Sequence, residues 1–267
     1  MITAGPKLGE GREAEVYAWG TDAVLKLYRP GYHGHRTEAS VLAALHNSGV
    51  APQLLDTVET DGRTGLVLQR LPGPDMLTLL QRQPWRVRAL ARALATAHLA
   101  IGRCEAPADL PDLRQTLAAR IDDAPLPPHL RTYTQQTLDG LPDGGQLCHG
   151  DLHPGNALTD GARATVIDWP NATRGDPVAD HARTVLLLRW ANPLPGTPPL
   201  FRALIAAGRA LTSRLYTRAY QAGSPIPPQQ VNRWLIVHAA ARLSEGIDAE
   251  TATLTRFIEN ARRTTER

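Results

Sequence analysis

Cys148-His149-Gly150-Asp151-Leu152-His153-Pro154-Gly155-Asn156, with Val166-Ile167-Asp168-Trp169 downstream, is the stretch on which the reading of this chain turns. Pro154 and Gly155 make 151–156 a loop rather than a helix. Asn156–Thr159 and Ala164–Ile167 read as two short strands closed by Asp160-Gly161, a hairpin turn pair. A hairpin that starts at Asn156 and ends at Asp168 brings both side chains to its open end. Phosphoryl transfer asks for that set of groups. Its transition state is loose, so a protein mainly positions the nucleophile and neutralises charge. Asp151 can orient an attacking hydroxyl and accept its proton, while Asn156 and Asp168 can supply hard oxygens to one shared Mg²⁺.

Working outward, the first seventy or so residues read as strands with one helix. Val16–Trp19 and Ala23–Tyr28 are β-prone and separated by Gly20-Thr21-Asp22. A helix is expected from about Arg36 to His46, with Ala39, Leu42, Ala43 and Leu45 on its apolar face, stopped by Gly49 and Pro52. Leu54–Thr60 and Gly65–Leu71 follow, joined by Asp61-Gly62. Leu71-Pro72-Gly73-Pro74 reads as a linker. Beyond it come a long amphipathic helix over Trp85–Gly102, two short ones near Leu113–Ile121 and Leu130–Leu138, and a strand-rich island over Leu147–Trp169. From Asp180 the chain is helical, broken by Pro-rich loops at 192–199 and 224–228.

Composition narrows the class. Hydrophobic content of 42% against 21% charged residues suits a soluble globular protein. No apolar run approaches the ~20 residues of a membrane span. The first six residues show no basic or apolar leader, so no secretory signal is expected. Two cysteines, Cys104 and Cys148, have no metal-ligand spacing and fit a reducing, cytoplasmic setting, Cys148 as an inward-packed thiol. The net charge of +3 is scattered, which speaks for a solvated surface rather than a nucleic-acid face. Of 29 basic residues only Lys7 and Lys26 are lysines, so an internal lysine asks for a chemical reason.

His-Gly-Asp-Leu-His-Pro-Gly-Asn with a later Ile-Asp-Trp resembles the aminoglycoside phosphotransferase and choline kinase group. The resemblance spans about residues 5 to 185. It implies an α+β, bilobal protein-kinase-like fold: a small antiparallel-sheet N-lobe with one helix over 1–71, and a larger, mainly helical C-lobe over 72–267. It implies ATP and Mg²⁺, with Asp151 as catalytic base, Asn156 and Asp168 as metal ligands, His149 organising the loop and His153 supporting near the γ-phosphate.

Other positions match the same pattern. Gly9-Glu10-Gly11 resembles the glycine-rich loop over the nucleotide phosphates, with Ala14 departing at the third glycine position. Lys26 stands where such kinases pair a lysine with the α- and β-phosphates. Glu38 is the only carboxylate between Asp22 and Asp56, which makes it the expected partner. Backbone groups around Gln69 and Leu71 would read the adenine edge. Asp176 can cap a helix starting at Pro177, and by resemblance Asp180 hydrogen-bonds the catalytic loop from below.

The acceptor is expected to be a small molecule bearing a hydroxyl. From Leu200 onward ten arginines stand against five acids (Glu245, Asp248, Glu250, Glu259, Glu266), which speaks against a polycationic drug unless those acids converge. A Ser/Thr protein or peptide kinase is disfavoured: Gly150 replaces the arginine that reads a phosphorylated activation loop, no Ala-Pro-Glu follows Asp168, and Asp180 comes too soon after it. A non-catalytic nucleotide-binding scaffold is disfavoured by intact Lys26, Asp151, Asn156 and Asp168.

Overall fold

A computed structural model describes residues 5–60, 62–161, 163–190 and 199–265. Strands β1 (Lys7–Glu10), β2 (Ala14–Trp19) and β3 (Ala23–Tyr28) lead into helix α1 (Gly34–Ala44), then β4 (Leu54–Thr60) and β5 (Arg63–Gln69). These strands form one antiparallel sheet in the order β1-β2-β3-β5-β4. Alternation along β3 sorts its side chains by face. Leu25 and Leu27 pack with Val67 on the outer face, under Tyr17, Trp19 and Val58. Lys26 and Tyr28 take the opposite, inner face and meet Glu38 of α1 there.

The expected helix over Arg36–His46 starts and stops two residues earlier, and Ala43 is exposed. Its buried side is instead Glu38, Val41 and Leu42, with Leu45 just beyond. Asn47 adopts a left-handed conformation (φ 60) three residues past the helix. Asp61 of the first hairpin turn lies outside the described residues, as does the Pro-rich loop at 192–199 except for its last residue.

The linker is pinned. Gly73 has φ +90, and a Cβ there would sit 2.3 Å from the Thr159 carbonyl oxygen, so only glycine fits. After it comes a helix absent from the sequence reading, α2 (Met76–Arg82), whose first turn is capped by Asp75 accepting from the Thr78 N–H at 2.8 Å. Seven residues between prolines are too few to show a helical period. The long helix is α3 (Val87–Ile101), two residues shorter at its start than the expected Trp85–Gly102, with Pro84–Arg86 forming a 3₁₀ turn before it and Trp85 exposed.

Helices α4 (Leu113–Asp123) and α5 (Pro128–Asp139) follow, then β6 (Gln146–Cys148), a 3₁₀ turn at Pro154–Asn156, β7 (Ala157–Thr159), β8 (Ala164–Val166) and β9 (Thr173–Gly175). Strand β9 carries no strand signal of its own in the sequence; its three residues find their pairing with β6, 27 positions back in the chain. The closing helices are α6 (Pro177–Trp190), α7 (Pro199–Gly223), α8 (Pro228–Leu243) and α9 (Asp248–Thr265). One continuous core runs from Leu66 and Leu68 of the sheet, through α3, to Trp169, Trp234 and Ile258. The loop at 149–156 therefore rests on packed helices while facing the sheet.

Candidate active site

Where sheet and helices meet, three residues far apart in sequence form one ionic chain. Lys26 Nζ lies 2.6 Å from Glu38 Oε2 and 2.8 Å from Asp168 Oδ1. Glu38 is buried, and it also accepts from the Tyr28 hydroxyl and, at 3.2 Å, from the Trp169 N–H. Burial works against the Lys26 ammonium, yet the Glu38 and Asp168 carboxylates outweigh it and hold its pKa above the ordinary lysine value. Burial likewise pushes the Asp168 carboxyl up, but Lys26, by charge and hydrogen bond, brings it below the usual carboxylate range. Asp168 has φ 71, a conformation rare outside glycine and of a kind that collects at functional sites.

The loop after β6 is built from below. Asp180, in the first turn of α6, accepts from the His149 N–H at 2.7 Å and the Gly150 N–H at 2.9 Å, and pairs with His98 Nε2 at 2.9 Å. Burial raises its pKa, while His98 and the two backbone donors pull it far below the ordinary aspartate value. His149 is wholly buried. Its Nε2 donates to the Ile167 carbonyl at 3.1 Å and its Nδ1 accepts from the Asp151 N–H at 3.2 Å. Burial holds its pKa low, so the ring is a neutral brace. His149 thus ties the loop at Asp151 to the main chain at Ile167.

Gly150 sits at φ +79, and a Cβ there would fall 2.3 Å from the Asn171 carbonyl oxygen. That turn presents Asp151, whose main-chain carbonyl accepts from Asn156 Nδ2 at 3.0 Å, with its carboxylate at 3.4 Å from the same nitrogen. His153 Nδ1 accepts from the Gly155 N–H at 3.0 Å, and its Nε2 lies 3.8 Å from Asp151 Oδ2. Burial lowers the His153 pKa despite the Asp151 charge, so this ring is not a fixed cation in the manner of a lysine.

Among the described residues, Asn156 Oδ1 and Asp168 Oδ2 make no hydrogen bond, while Asn156 Nδ2 and Asp168 Oδ1 are engaged. Two hard oxygens left over at the ends of one short hairpin fit a Mg²⁺, which prefers one or two protein oxygens and keeps the rest of its octahedron for water and phosphate. Gly9 lies in β1 and Gly11 in the turn, where its N–H reaches the Ala14 carbonyl at 2.9 Å. The Gln69 N–H is spent on the Gln53 carbonyl, whereas the peptide groups of Leu71 have no partner among the described residues. Asp176 Oδ1 caps α6 through the Val178 N–H at 2.9 Å, and its Oδ2 accepts from Trp234 Nε1 at 3.2 Å. Cys148 is buried, with its thiol pKa pushed up.

Four residues at this site escaped the sequence reading. Glu13, in the glycine-rich turn, stands close enough to Asp168 and Lys26 to feel their charges, and burial raises its carboxyl pKa. Tyr28 could have been found, since β3 alternation puts it beside Lys26. His98 and Arg183 carry no local signal. Arg183 Nε donates to the Gly150 carbonyl at 3.1 Å, and its Nη2 lies 3.4 Å from Asp151 Oδ1 and 2.9 Å from Glu245 Oε1.

The fold is shared with solved structures of low sequence identity. A thermostable mutant of aminoglycoside phosphotransferase APH(4)-Ia, in ternary complex with AMP-PNP and hygromycin B, superposes with a TM-score of 0.67 at 17% identity, covering 97% of this chain and 93% of that one. Amicoumacin kinase hAmiN in complex with AMP-PNP, Ca²⁺ and Ami gives 0.64 at 14% identity, covering 99% and 88%. Aminoglycoside-3'-phosphotransferase of type VIII gives 0.61 at 19%, covering 90% and 93%. At such identities the likeness speaks for the fold, the bilobal kinase-like one. No curated protein matches the chain. Residues 5–221 match the model of the phosphotransferase enzyme family, APH, and that span covers most of the molecule: the chain belongs to this family of phosphotransferases.

Proposed function

We propose that the chain transfers the γ-phosphoryl group of ATP, with Mg²⁺, to a hydroxyl of a small molecule. The observation that carries this is the convergence of Lys26, Glu38 and Asp168 in one ionic chain beside the loop that presents Asp151 and Asn156. In this reading residues 1–71 are the nucleotide lobe and 72–267 the catalytic and acceptor lobe. Gly9, Gly11 and the Leu71 peptide border the nucleotide, and Lys26 holds its α- and β-phosphates while Glu38 holds Lys26. Asn156 and Asp168 offer the metal oxygens. When bound, Mg²⁺ supplies charge neutralisation on the phosphate oxygens.

Asp151 would hydrogen-bond the acceptor hydroxyl and take its proton as that oxygen bonds to the γ-phosphorus and the bond to the ADP oxygen breaks. Asp180, His149 and Arg183 keep the Asp151 main chain and carboxylate in place for that step. Strand β9 begins at Thr173, so only 169–172 separate it from Asp168, which leaves no room for a long regulated activation loop and favours a small acceptor over a protein one. No helix of the described residues is long and apolar enough to cross a membrane, and the two unbridged cysteines fit work in the cytoplasm.

A coupled ADP-release assay on small hydroxyl acceptors tests the reading. Asp151→Asn should retain ATP binding and lose roughly 10²–10⁴-fold in turnover, the usual worth of a general base. Turnover equal to that of the parent would remove Asp151 from this role.

A further inference from the structure

Asp180 is one end of a buried chain of side chains that the proposed phosphoryl transfer does not yet use. Its carboxylate faces His98 Nε2 at 2.9 Å, and the other ring nitrogen of His98, Nδ1, lies 2.7 Å from the Tyr216 hydroxyl. The same hydroxyl stands 3.0 Å from His181 Nδ1. Helices α3, α6 and α7 thus each bring one ring to a single point: His98, His181 and Tyr216. Tyr220, one turn on from Tyr216, closes the cluster, stacked on His181 with ring centroids 4.1 Å apart and edge-on to His98 at 5.3 Å. Asp180, His98, His181, Tyr216 and Tyr220 are each at most 2% exposed, so bulk water does not compete for these groups.

We propose that Tyr216 is a positioning residue for phosphoryl transfer: its hydroxyl holds the His98 ring with Nε2 toward Asp180, and Asp180 in turn holds the His149 and Gly150 N–H groups from which the loop presents Asp151. The inference rests on the kinase reading above. An ionised carboxylate only accepts, so His98 Nε2 carries a proton. Which nitrogen of a histidine bears the proton, and how the ring is turned, is set by the hydrogen bond at the other nitrogen. Among the described residues Tyr216 is the one side chain that hydrogen-bonds His98 Nδ1. A hydroxyl suits that place in either charge state of the ring, since it donates to a lone pair and accepts from an N–H. Helix α7 thereby bears on the turn at Gly150 through two intermediates. Without the hydroxyl the ring is free to turn, but Asp180 keeps both backbone donors, so the effect is smaller than that of losing Asp180 itself.

The experiment compares the parent with Tyr216→Phe, Asp180→Asn and the double variant, using ATP and Mg²⁺ alone, so that water takes the γ-phosphoryl group and ADP release reports turnover. Tyr216→Phe removes one buried oxygen and keeps the aromatic ring. It should lower kcat about twofold to tenfold, the worth of one neutral hydrogen bond, with KM for ATP unmoved. Because Tyr216 acts through Asp180, the same change in the Asp180→Asn background should cost no further turnover, the mark of coupled sites. A parent-like kcat in Tyr216→Phe, whatever its Tm, a shift in KM for ATP instead of kcat, or a fully additive loss in the double variant would each overturn the proposal. Nitrogen-15 spectra of the parent's histidine rings need no variant. The expected result is a His98 ring with its proton fixed on Nε2 and Nδ1 shifted by its hydrogen bond; a ring averaged over both tautomers would overturn the proposal even if the variants fail to fold. Calorimetry with ATP and Mg²⁺ reports separately on the kinase reading: no nucleotide binding would strike that reading, while the ring spectra still judge the chain of hydrogen bonds.

Discussion

Replacing Asp180 by Asn exchanges one carboxylate oxygen for an amide nitrogen and removes a charge at a buried point where three donors converge. The His149 N–H, the Gly150 N–H and His98 Nε2 lie 2.7 to 2.9 Å from the carboxylate oxygens. An asparagine can offer its single oxygen to one backbone N–H, but its amide nitrogen then faces another donor at under 3 Å. A hydrogen bond to a charged group contributes about 1.5–3 kcal/mol, and a buried donor left unpaired costs about 1–3 more. The sum is about 2.5–6 kcal/mol. For a chain of this size each kcal/mol moves Tm by about 2–4 °C, so Asp180→Asn should melt about 5–24 °C lower. Because the lost contacts hold Gly150, whose φ is already +79, kcat should fall at least about tenfold at saturating ATP, one catalytic contact's worth. Differential scanning fluorimetry and the ADP-release assay read the two effects. A Tm within about 3 °C of the parent with unchanged kcat would refute the claim that Asp180 carries the loop.

Other perturbations test neighbouring parts of the same frame. Lys26→Met leaves the buried Glu38 with only Tyr28 and the Trp169 N–H; it should cost about 3–5 kcal/mol, as loss of one partner of a buried pair does, and weaken ATP binding, so an unaltered nucleotide Kd would dismiss Lys26 as a phosphate ligand. Gly150→Ala forces a Cβ to 2.3 Å from the Asn171 carbonyl oxygen in a left-handed backbone; chirality alone costs about 1–2 kcal/mol, and full activity in this variant would show that the turn is more yielding than its geometry implies. Burial pushes the pKa of His181 and of His238 down to about 3. Both rings stay neutral in the fold and gain a proton on unfolding once pH drops below about 6.5. Stability should therefore decline from pH ~6.5 toward pH ~3, by up to about 1.4 kcal/mol per pH unit for each ring; urea melts that are flat between pH 7 and 5 would contradict this.

Much of the frame is legible in the order of residues because its physics is local. Alternation in Ala23–Tyr28 already sets Lys26 on the face opposite Leu25 and Leu27, and a carboxylate without rivals between Asp22 and Asp56 had to be its partner. The loop at 151–156 and the hairpin ending at Asp168 follow from Pro154, Gly155 and Asp160-Gly161, residues whose backbone preferences act over a few bonds. Short elements carry less local signal. Helix α2 is too brief for a period to show, and β9 exists only because β6 offers it a ladder.

Tertiary packing alone decided which charges meet. Arg183 looks like any polar residue of an Ala/Leu-rich helix, yet its place in α6 sets it between the Gly150 carbonyl, Asp151 and Glu245. His98 reaches Asp180 across 82 positions, and Glu245 is shared between Arg183 of α6 and Arg242 of α8. Backbone sterics and side-chain period act between neighbours in the chain and can be read from their order. The pairing of buried charges depends on distance through space, which is set only once the helices have closed over their shared core.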